Sequence, residues 1–298
     1  MITGKMSPLA LGENYQPMPV KFFPLMGLFL FLMGCVVSPP QSLDAKAREW
    51  GMTRKVIPGA EFRHVIYTRH LGQPRKTLHV YLDGDGSPWI KRRWISRDPT
   101  PRNPLALRLM AQDTVPSVYL GRPCYHGLAR DPPCTPQLWT YGRYSPQVVE
   151  SMAVALAHVL ATGNFSELVL IGYSGGGALA MLLAERFSQT AAVVTIAGNL
   201  NPAAWAQHHG YTPLWDSINP SQQPPLNPAI FQLHLLGERD QNILPPMVRS
   251  AVSRQKHAKL HLLADFDHIC CWKAIWPSVL AALRSRDYRM VFETMSSH

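Results

Sequence analysis

Residues 169–183 have the sequence VLIGYSGGGALAMLL, whose periodicity changes in the middle. The apolar run Leu168–Ile171 predicts a buried strand, and the apolar residues of 178–183 recur at helical spacing. Between them lies Gly172–Gly176, a G-x-S-x-G pattern centred on Ser174. Small residues on both sides let the chain reverse sharply, which predicts a strained backbone at Ser174 with its hydroxyl at the tip of a strand-to-helix turn. The alternative is a glycine-rich turn whose serine has no role.

Strand and helix patterns alternate along the rest of the chain. From Leu78 onward this alternation predicts a mostly parallel, doubly wound α/β sheet with helices on both faces. Upstream, Phe62–His70 and Leu78–Leu82 predict two strands joined as a hairpin. Residues 199–229 interrupt the alternation with prolines, asparagines and two tryptophans, so we expect a cap insertion over the site. The alternative is a simple long connection.

Polar residues follow several of the predicted strands. Ligands of such sheets bind at the carboxyl ends of the strands, and Asp83–Gly86, Ser174, Asp240 and His268 each follow one. The order Ser, Asp, His is that of the α/β-hydrolases. Over residues 62–283 the chain resembles an α/β-hydrolase. Its long insert and its HICCW run also resemble a subgroup of uncharacterised bacterial lipoprotein α/β-hydrolases.

The resemblance implies a role for each of these residues. Ser174 would be the nucleophile, His268 the base that takes its proton, and Asp240 the acid that orients His268. The backbone N–H of Gly175 and one from Asp85 or Gly86 would stabilise the oxyanion.

The turn that would supply the second oxyanion donor departs from the common pattern. Many lipases and esterases carry His-Gly there, whereas this chain has Asp83-Gly84. Two ionised carboxylates aimed at an oxyanion would oppose it. We therefore expect the side chains of Asp83 and Asp85 to be turned away and bound to backbone amides or to an arginine.

The resemblance implies a serine hydrolase, with a carboxylic ester as the substrate and an acyl-enzyme intermediate. Two other classes stay open: an acyltransferase with the same three residues, and a non-catalytic envelope binding protein on a hydrolase fold. The expected substrate is a small-molecule or lipid-like ester, with no cofactor and no metal. The oligomeric state is undetermined.

Other acids and histidines compete for the assigned roles. Glu238 is the nearest rival of Asp240, while acids next to His268 more commonly cap the following helix. Isolated histidines in or beside helices and strands are commonly structural or exposed, and the two histidines of the cap either contact substrate or have no role. The residues concerned are Glu238, Asp265, Asp267, His257, His261, His208 and His209.

The N-terminal region has the pattern of an export signal. Residues 18–35 comprise one lysine, an apolar run and Leu-Met-Gly-Cys, which resembles a bacterial lipobox. We therefore expect a signal peptide over 1–35 with lipidation at Cys35, a tether over 36–61 that contains one short helix around Leu43–Trp50, and the hydrolase domain over 62–298. The expected location is the outer membrane, facing the periplasm. The alternative is a periplasmic or secreted protein.

Four further cysteines suit an oxidising compartment. Cys124 and Cys134 bracket a proline-rich loop, and a disulfide would close it. The adjacent Cys270 and Cys271 are either two free thiols or a vicinal disulfide that stiffens the loop of His268. None of the spacings is that of a zinc site.

The net charge of +10 is spread along the chain, and its one tight basic run is Lys91–Arg93. This distribution favours an anionic surface or substrate, or a solvated basic face, over a nucleic-acid site. We expect no nucleic-acid partner.

Overall fold

The computed structural model describes residues 39–285. The predicted signal peptide over 1–35 and the lipidation site Cys35 lie outside these residues. The helices are α1 (Pro39–Glu49), α2 (Leu105–Met110), α3 (Pro146–Ala161), α4 (Gly175–Ala184), α5 (Pro202–His208), α6 (Pro245–Val252) and α7 (Trp272–Ser285). The strands are β1 (Thr53–Pro58), β2 (Arg63–Arg69), β3 (Thr77–Leu82), β4 (Trp89–Ile90), β5 (Trp94–Ile95), β6 (Ser117–Leu120), β7 (Glu167–Tyr173), β8 (Thr190–Ile196), β9 (Phe231–Gly237) and β10 (Ala258–Leu263).

Eight strands form one sheet in the order β1-β2-β6-β3-β7-β8-β9-β10. Only β2 runs against its neighbours β1 and β6, and every other adjacent pair is parallel. Helices α3, α4 and α6 cover one face, and α1, α2 and α7 cover the other. The predicted doubly wound, mostly parallel sheet is confirmed, and its carboxyl edge brings together the loops after β3, β7, β9 and β10.

The first two strands of the prediction are not a hairpin. Strand β6 lies between β2 and β3 and pairs with both. All four residues of β6 are buried, so each of its edges needs a hydrogen-bonding neighbour. A sequence pattern that marks strands carries no information about which of them are adjacent.

The short helix expected around Leu43–Trp50 is present as α1, but the prediction that residues 36–61 are a tether is wrong for the described part of that range, because α1 and β1 pack onto the domain. Helix α1 buries Leu43 and Ala47, which lie one turn apart on the same face, and β1 extends the sheet as an edge strand paired with β2. Residues 53–56 of β1 are exposed, so their sequence has the polar character of a linker. The folded domain therefore begins at α1 rather than near Phe62.

The described residues contain no helix long and apolar enough to cross a membrane. The expected cap is the segment between β8 and β9, which carries α5 and a short 3-10 turn over Pro220–Gln222. A separate two-stranded hairpin, β4–β5, was not predicted from the sequence.

The burial of α1 gives a test of where the domain begins. Leu43→Ala should lower the free energy of unfolding by about 2–5 kcal/mol, because it opens a cavity at a side chain that is 2% exposed. The exposed Lys46→Ala on the same helix is the control, with an expected change within about 0.5 kcal/mol. Urea unfolding of both variants is the measurement. Equal stability of the two variants would show that α1 is a tether after all.

Candidate active site

Ser174 lies between β7 and α4 in a backbone conformation that side chains rarely adopt, with φ 52° and ψ −121°. Its N–H donates to the Ile196 carbonyl at 2.9 Å, and its carbonyl accepts from Asn199 N–H at 2.9 Å. A side chain at Gly172 would overlap the Gly176 backbone, so strand and helix approach this closely only with glycine. The turn and its neighbours therefore hold the hydroxyl at the sheet edge.

His268 and Asp240 lie beside Ser174. His268 Nε2 is 3.1 Å from Ser174 Oγ, and His268 Nδ1 is 2.9 Å from Asp240 Oδ2. Asp240 is 1% exposed, and its Oδ1 accepts the N–H groups of Asn242 and Ile243, both at 2.8 Å. Because an ionised carboxylate only accepts, this network places the imidazole proton on Nδ1 and the lone pair of Nε2 toward Ser174.

The His268 imidazole is also held from the sides. The Tyr173 ring packs against it with centroids 5.2 Å apart. The Trp272 indole N–H donates to the His268 carbonyl at 3.2 Å, which fixes the loop at the start of α7. The orientation of the imidazole is therefore set by packing as well as by Asp240.

Asn242 makes a contact that the sequence did not suggest. The Trp205 indole N–H donates to Asn242 Oδ1 at 3.1 Å, so the Asn242 amide nitrogen points the other way, to 3.0 Å from His268 Nε2. His209 Nε2 lies 2.8 Å from the Asn242 carbonyl oxygen. The single lone pair of Nε2 thus faces two donors, the Ser174 hydroxyl and the Asn242 amide, and the second is held by the cap.

The turn after β3 lies against Ser174. A Cβ at Gly84 would be 3.2 Å from Ser174 Cβ. Gly86 has φ +67°, and a side chain there would overlap the Pro99 carbonyl, so the turn requires glycine. Within residues 39–285, the N–H groups of Asp85, Gly86 and Gly175 have no acceptor. They are the available donors for an oxyanion at Ser174.

The Asp85 carboxylate is bound on every side. It pairs with Arg122 at 2.8 Å and with Arg143 at 2.8 Å, and it accepts the Tyr144 hydroxyl at 2.8 Å. The Tyr125 hydroxyl donates to the Asp85 carbonyl at 3.0 Å. Burial alone would raise the pKa of Asp85, but Arg122 and Arg143 hold it below its usual range.

Burial of Asp83 is only partly compensated, because nearby backbone N–H groups and the charge of Arg122 lower its pKa by less than burial raises it. Its Oδ1 accepts the Gly84 N–H at 2.9 Å, while its Oδ2 is buried with no partner in the described part of the chain. Burial raises the pKa of this carboxyl to about 6. The Asp83 carboxyl is bound to a backbone amide and the Asp85 carboxylate to two arginines, as expected, but both residues line the cavity at Ser174, and Asp85 Oδ1 lies against Gly175.

The competing residues lie elsewhere. Glu238 is exposed, and Asp265 pairs with Arg239 at 2.5 Å. Asp267 accepts the backbone N–H groups of residues 269 and 270, in the turn before α7. None of the remaining histidines considered from the sequence, His208, His209, His257 and His261, lines the cavity described below.

The four described cysteines lie in two close pairs. Cys124 and Cys134 have a Cα separation of 5.6 Å, and Cys270 is adjacent to Cys271. The first pair lies in the loop after β6, which also carries Arg122 and Tyr125. The second lies between His268 and α7.

A cavity of about 750 Å³ opens at Ser174. The β3 turn, the β4–β5 hairpin and the cap all contribute to its wall. The residues that line it include Ser174, His268, Trp89, Arg92, Tyr141 and Trp205. Across residues 39–285 there is no group of three or more His, Cys, Asp or Glu side chains that could hold a metal ion.

Sequence reasoning missed Arg122, Arg143 and Asn242. Arg122 lies two residues beyond β6, at the carboxyl edge of the sheet, and Asn242 lies two residues beyond Asp240. Inspection of the strand ends could have found both. Arg143 precedes α3 and has no local signal.

Comparisons with known proteins address the fold. No protein-family model matches the chain, and no curated protein matches it. Among solved structures, an esterase from Pyrococcus furiosus is 11% identical with a TM-score of 0.56, covering 82% of this chain and 92% of the esterase.

Two further structures agree with the first. A protein from Agrobacterium tumefaciens assigned to the α/β-hydrolases is 13% identical, with a TM-score of 0.52 and coverage of 78% and 96%. A proline iminopeptidase-related protein from Thermus thermophilus is 13% identical, with a TM-score of 0.55 and coverage of 78% and 98%. The chain has the α/β-hydrolase fold.

Asp83 and Asp85 should respond oppositely to the same substitution. Asp85→Asn should cost about 3–5 kcal/mol of unfolding free energy at pH 8, because it leaves two buried arginines without their carboxylate. Asp83→Asn should be stabilising by up to about 3 kcal/mol, because it removes a buried charge.

The pH dependence of these effects follows from the direction of each pKa shift. The folded-state pKa of Asp83 is about 6 against an ordinary 3.8. The increase in unfolding free energy caused by Asp83→Asn should therefore grow between about pH 4 and 6 and be absent below about pH 4. The pKa of Asp85 is lowered, so its contribution is present above its unfolded value and is lost in acid. Urea unfolding at pH 4 and pH 8 is the measurement, and shifts of the same sign in both variants would contradict the assignment.

Proposed function

We propose that this protein is a serine hydrolase that cleaves carboxylic esters through an acyl-enzyme. The observation that carries the proposal is the relay from Ser174 Oγ through His268 to the buried Asp240, with contacts of 3.1 and 2.9 Å. A strained serine, a histidine presenting a lone pair and a buried acid together form an activated nucleophile.

The chemistry can be written atom by atom. Ser174 Oγ attacks the ester carbonyl while its proton passes to His268 Nε2, and Asp240 stabilises the resulting imidazolium. The N–H groups of Gly175 and of Asp85 or Gly86 donate to the oxyanion. Nε2 then gives its proton to the departing alkoxide, and water repeats the cycle to release the acid.

Asn242 adds a requirement to this cycle. Once Nε2 has gained a proton it becomes a donor, and the amide N–H of Asn242 then opposes it at 3.0 Å. The amide must turn away or move during proton transfer. Because the Asn242 amide oxygen accepts the Trp205 indole N–H, this rearrangement is coupled to the position of the cap.

The substrate and the location are part of the same proposal. A cavity lined by Trp89, Tyr141 and Trp205 suits an apolar acyl or aryl group, which fits a small-molecule or lipid-like ester. We retain lipidation at Cys35 and a place on the outer membrane facing the periplasm as proposals based on the sequence.

The first test is covalent labelling of the full-length protein by a fluorophosphonate. Ser174 should be the labelled residue in a peptide map, and labelling should be lost in Ser174→Ala and in His268→Ala. The exposed Ser250→Ala is the matched control and should label normally. A folded protein that does not label, or that labels in Ser174→Ala, would remove the basis of the proposal.

The two acids near β9 offer a second test. Asp240→Asn should lower kcat/KM on a nitrophenyl ester by about 10⁴-fold, because the imidazole loses the partner that fixes its tautomer. Glu238→Gln removes a carboxylate two residues away that is exposed, and it should leave kcat/KM unchanged. A large loss in Glu238→Gln with little effect in Asp240→Asn would reassign the acid.

A further inference from the structure

The β4–β5 hairpin is a small element with an exposed tip. Ile90 pairs with Trp94 across it, and Lys91 and Arg92 form the turn with φ of 50° and 56°. Asparagine and glycine fit two consecutive positive φ values better than lysine and arginine do. The geometry of the turn therefore does not account for the residues found there.

The base of the hairpin is fixed while its tip is free. Ser96 N–H donates to the Pro88 carbonyl at 2.9 Å, and the Trp139 indole donates to the Ser96 carbonyl at 3.2 Å. In contrast, every residue of 90–95 is exposed. The tip is held out from the protein by an ordered base.

The tip combines apolar and cationic side chains. Trp94 is 62% exposed, Ile90 43% and Ile95 42%. The intervening Lys91, Arg92 and Arg93 form no ion pair with any carboxylate of the described residues. From 86 to 112 the chain has six basic residues and one acidic residue. Within the patch the Arg93 guanidinium lies over the Trp94 ring, 5.2 Å from its centroid, so the cations meet an aromatic side chain and no carboxylate of the described residues.

The hairpin lies at the mouth of the Ser174 cavity. Trp89 and Arg92 line that cavity. Trp89 contacts the Tyr141 ring with centroids 6.3 Å apart, and Tyr141 stacks on Trp215 of the cap at 5.1 Å. Trp215 is itself 65% exposed. A row of aromatic side chains thus continues from the hairpin onto the cap, partly buried at Trp89 and Tyr141 and exposed at Trp215.

We propose that the tip of the β4–β5 hairpin, residues 90–95, docks on the surface of an anionic phospholipid bilayer. Trp94 and the two isoleucines would enter the boundary between headgroups and acyl chains, where tryptophan is favoured. The three cations would lie among the phosphates, each favourable at an anionic surface. The docking does not depend on the hydrolase proposal.

A bilayer fits this patch better than a soluble polyanion does. A nucleic acid would use the cations and could stack on Trp94, but it offers nothing to Ile90 and Ile95. Burial of exposed aliphatic side chains needs an apolar phase. Cations alone would be typical of a solvated surface. The exposed apolar residues on both sides of them are not.

In the proposed docking, the carboxyl edge of the sheet, where the cavity opens, faces the bilayer. The start of the domain is consistent with this orientation. Strand β1 runs parallel to β3, because it is antiparallel to β2, which is antiparallel to β6. Helix α1 packs on β1 after a connection of three residues and so runs the opposite way. The first turn of α1 therefore lies toward the carboxyl edge of the sheet, where the cavity opens. A lipid on Cys35 would be attached four residues before α1.

The test uses the full-length protein reconstituted into vesicles whose acyl chains carry bromine, which quenches nearby tryptophan. One set of vesicles is phosphatidylcholine, and the other is an equimolar mixture with phosphatidylglycerol. The difference in tryptophan quenching between the parent protein and Trp94→Phe measures the contact of Trp94 with the acyl chains. We expect a large difference in the anionic vesicles and a small one in the neutral vesicles or at high salt.

Two triple variants separate the hairpin from general charge. Lys91→Ser/Arg92→Ser/Arg93→Ser should reduce the ratio of docked to undocked hairpin by roughly a hundredfold. The matched control, Arg249→Ser/Lys256→Ser/Lys259→Ser, removes three exposed cations elsewhere and should dock like the parent. Ser174→Ala should also dock normally, so failure of docking and failure of hydrolysis are distinguishable.

Several results would overturn the proposal. Equal Trp94 quenching in neutral and anionic vesicles would remove the role of charge. Retention of quenching in the hairpin triple variant, or equal loss in the control triple variant, would assign the effect to another surface. Protection of Trp94 from acrylamide by heparin as strong as that by anionic vesicles would make the patch a polyanion site instead.

Discussion

The candidate site depends on one buried charge cluster, the carboxylate of Asp85 between Arg122 and Arg143. These residues come from the turn after β3, the loop after β6 and the segment before α3, so two ion pairs on one carboxylate tie together three segments distant in sequence. Arg122 and Arg143 outnumber the Asp85 carboxylate by one charge, so the turn carries a net positive charge only below the pKa of the neighbouring Asp83, where that carboxyl is neutral. Under the proposed function, this charge would favour an oxyanion at Ser174. The acidic turn is therefore what holds two arginines at the candidate site.

The same cluster explains how strain at Ser174 persists. A positive φ at a non-glycine residue is unfavourable, and it survives only where the surroundings determine the backbone. Here Ser174 is bonded on one side to β8 and to the loop that follows it, and on the other side it meets the β3 turn at Gly84. That turn is in turn held by Asp85. The strained serine is thus held by hydrogen bonds to β8 and to the loop after it, and it lies against a turn that the ion cluster fixes.

The sequence predicted the features whose residues are adjacent in the chain or directly follow a strand. The strand-to-helix turn at Ser174 is visible because its glycines are adjacent in the chain, and Asp240 and His268 are visible because each follows a strand. A short helix near α1 was expected, but strand β1 was mistaken for part of a tether because an edge strand with exposed Arg54 and Lys55 has the composition of a linker. Arg143 could not be found, since its partner Asp85 is 58 residues away and nothing near it in the chain marks the contact.

The cap differs from a freely hinged lid, because it is bonded to the group that controls the base. Trp205 holds Asn242, and Asn242 faces the same lone pair of His268 that Ser174 must use. The Asn242 amide either faces Nε2 or is turned away from it, and a ligand can shift the balance between these two states only if its contacts with them differ. Under the proposed function, a group in the cavity that displaced the Trp205 indole would free the Asn242 amide to turn away from Nε2. Filling the cavity and releasing His268 for proton transfer would then be one event.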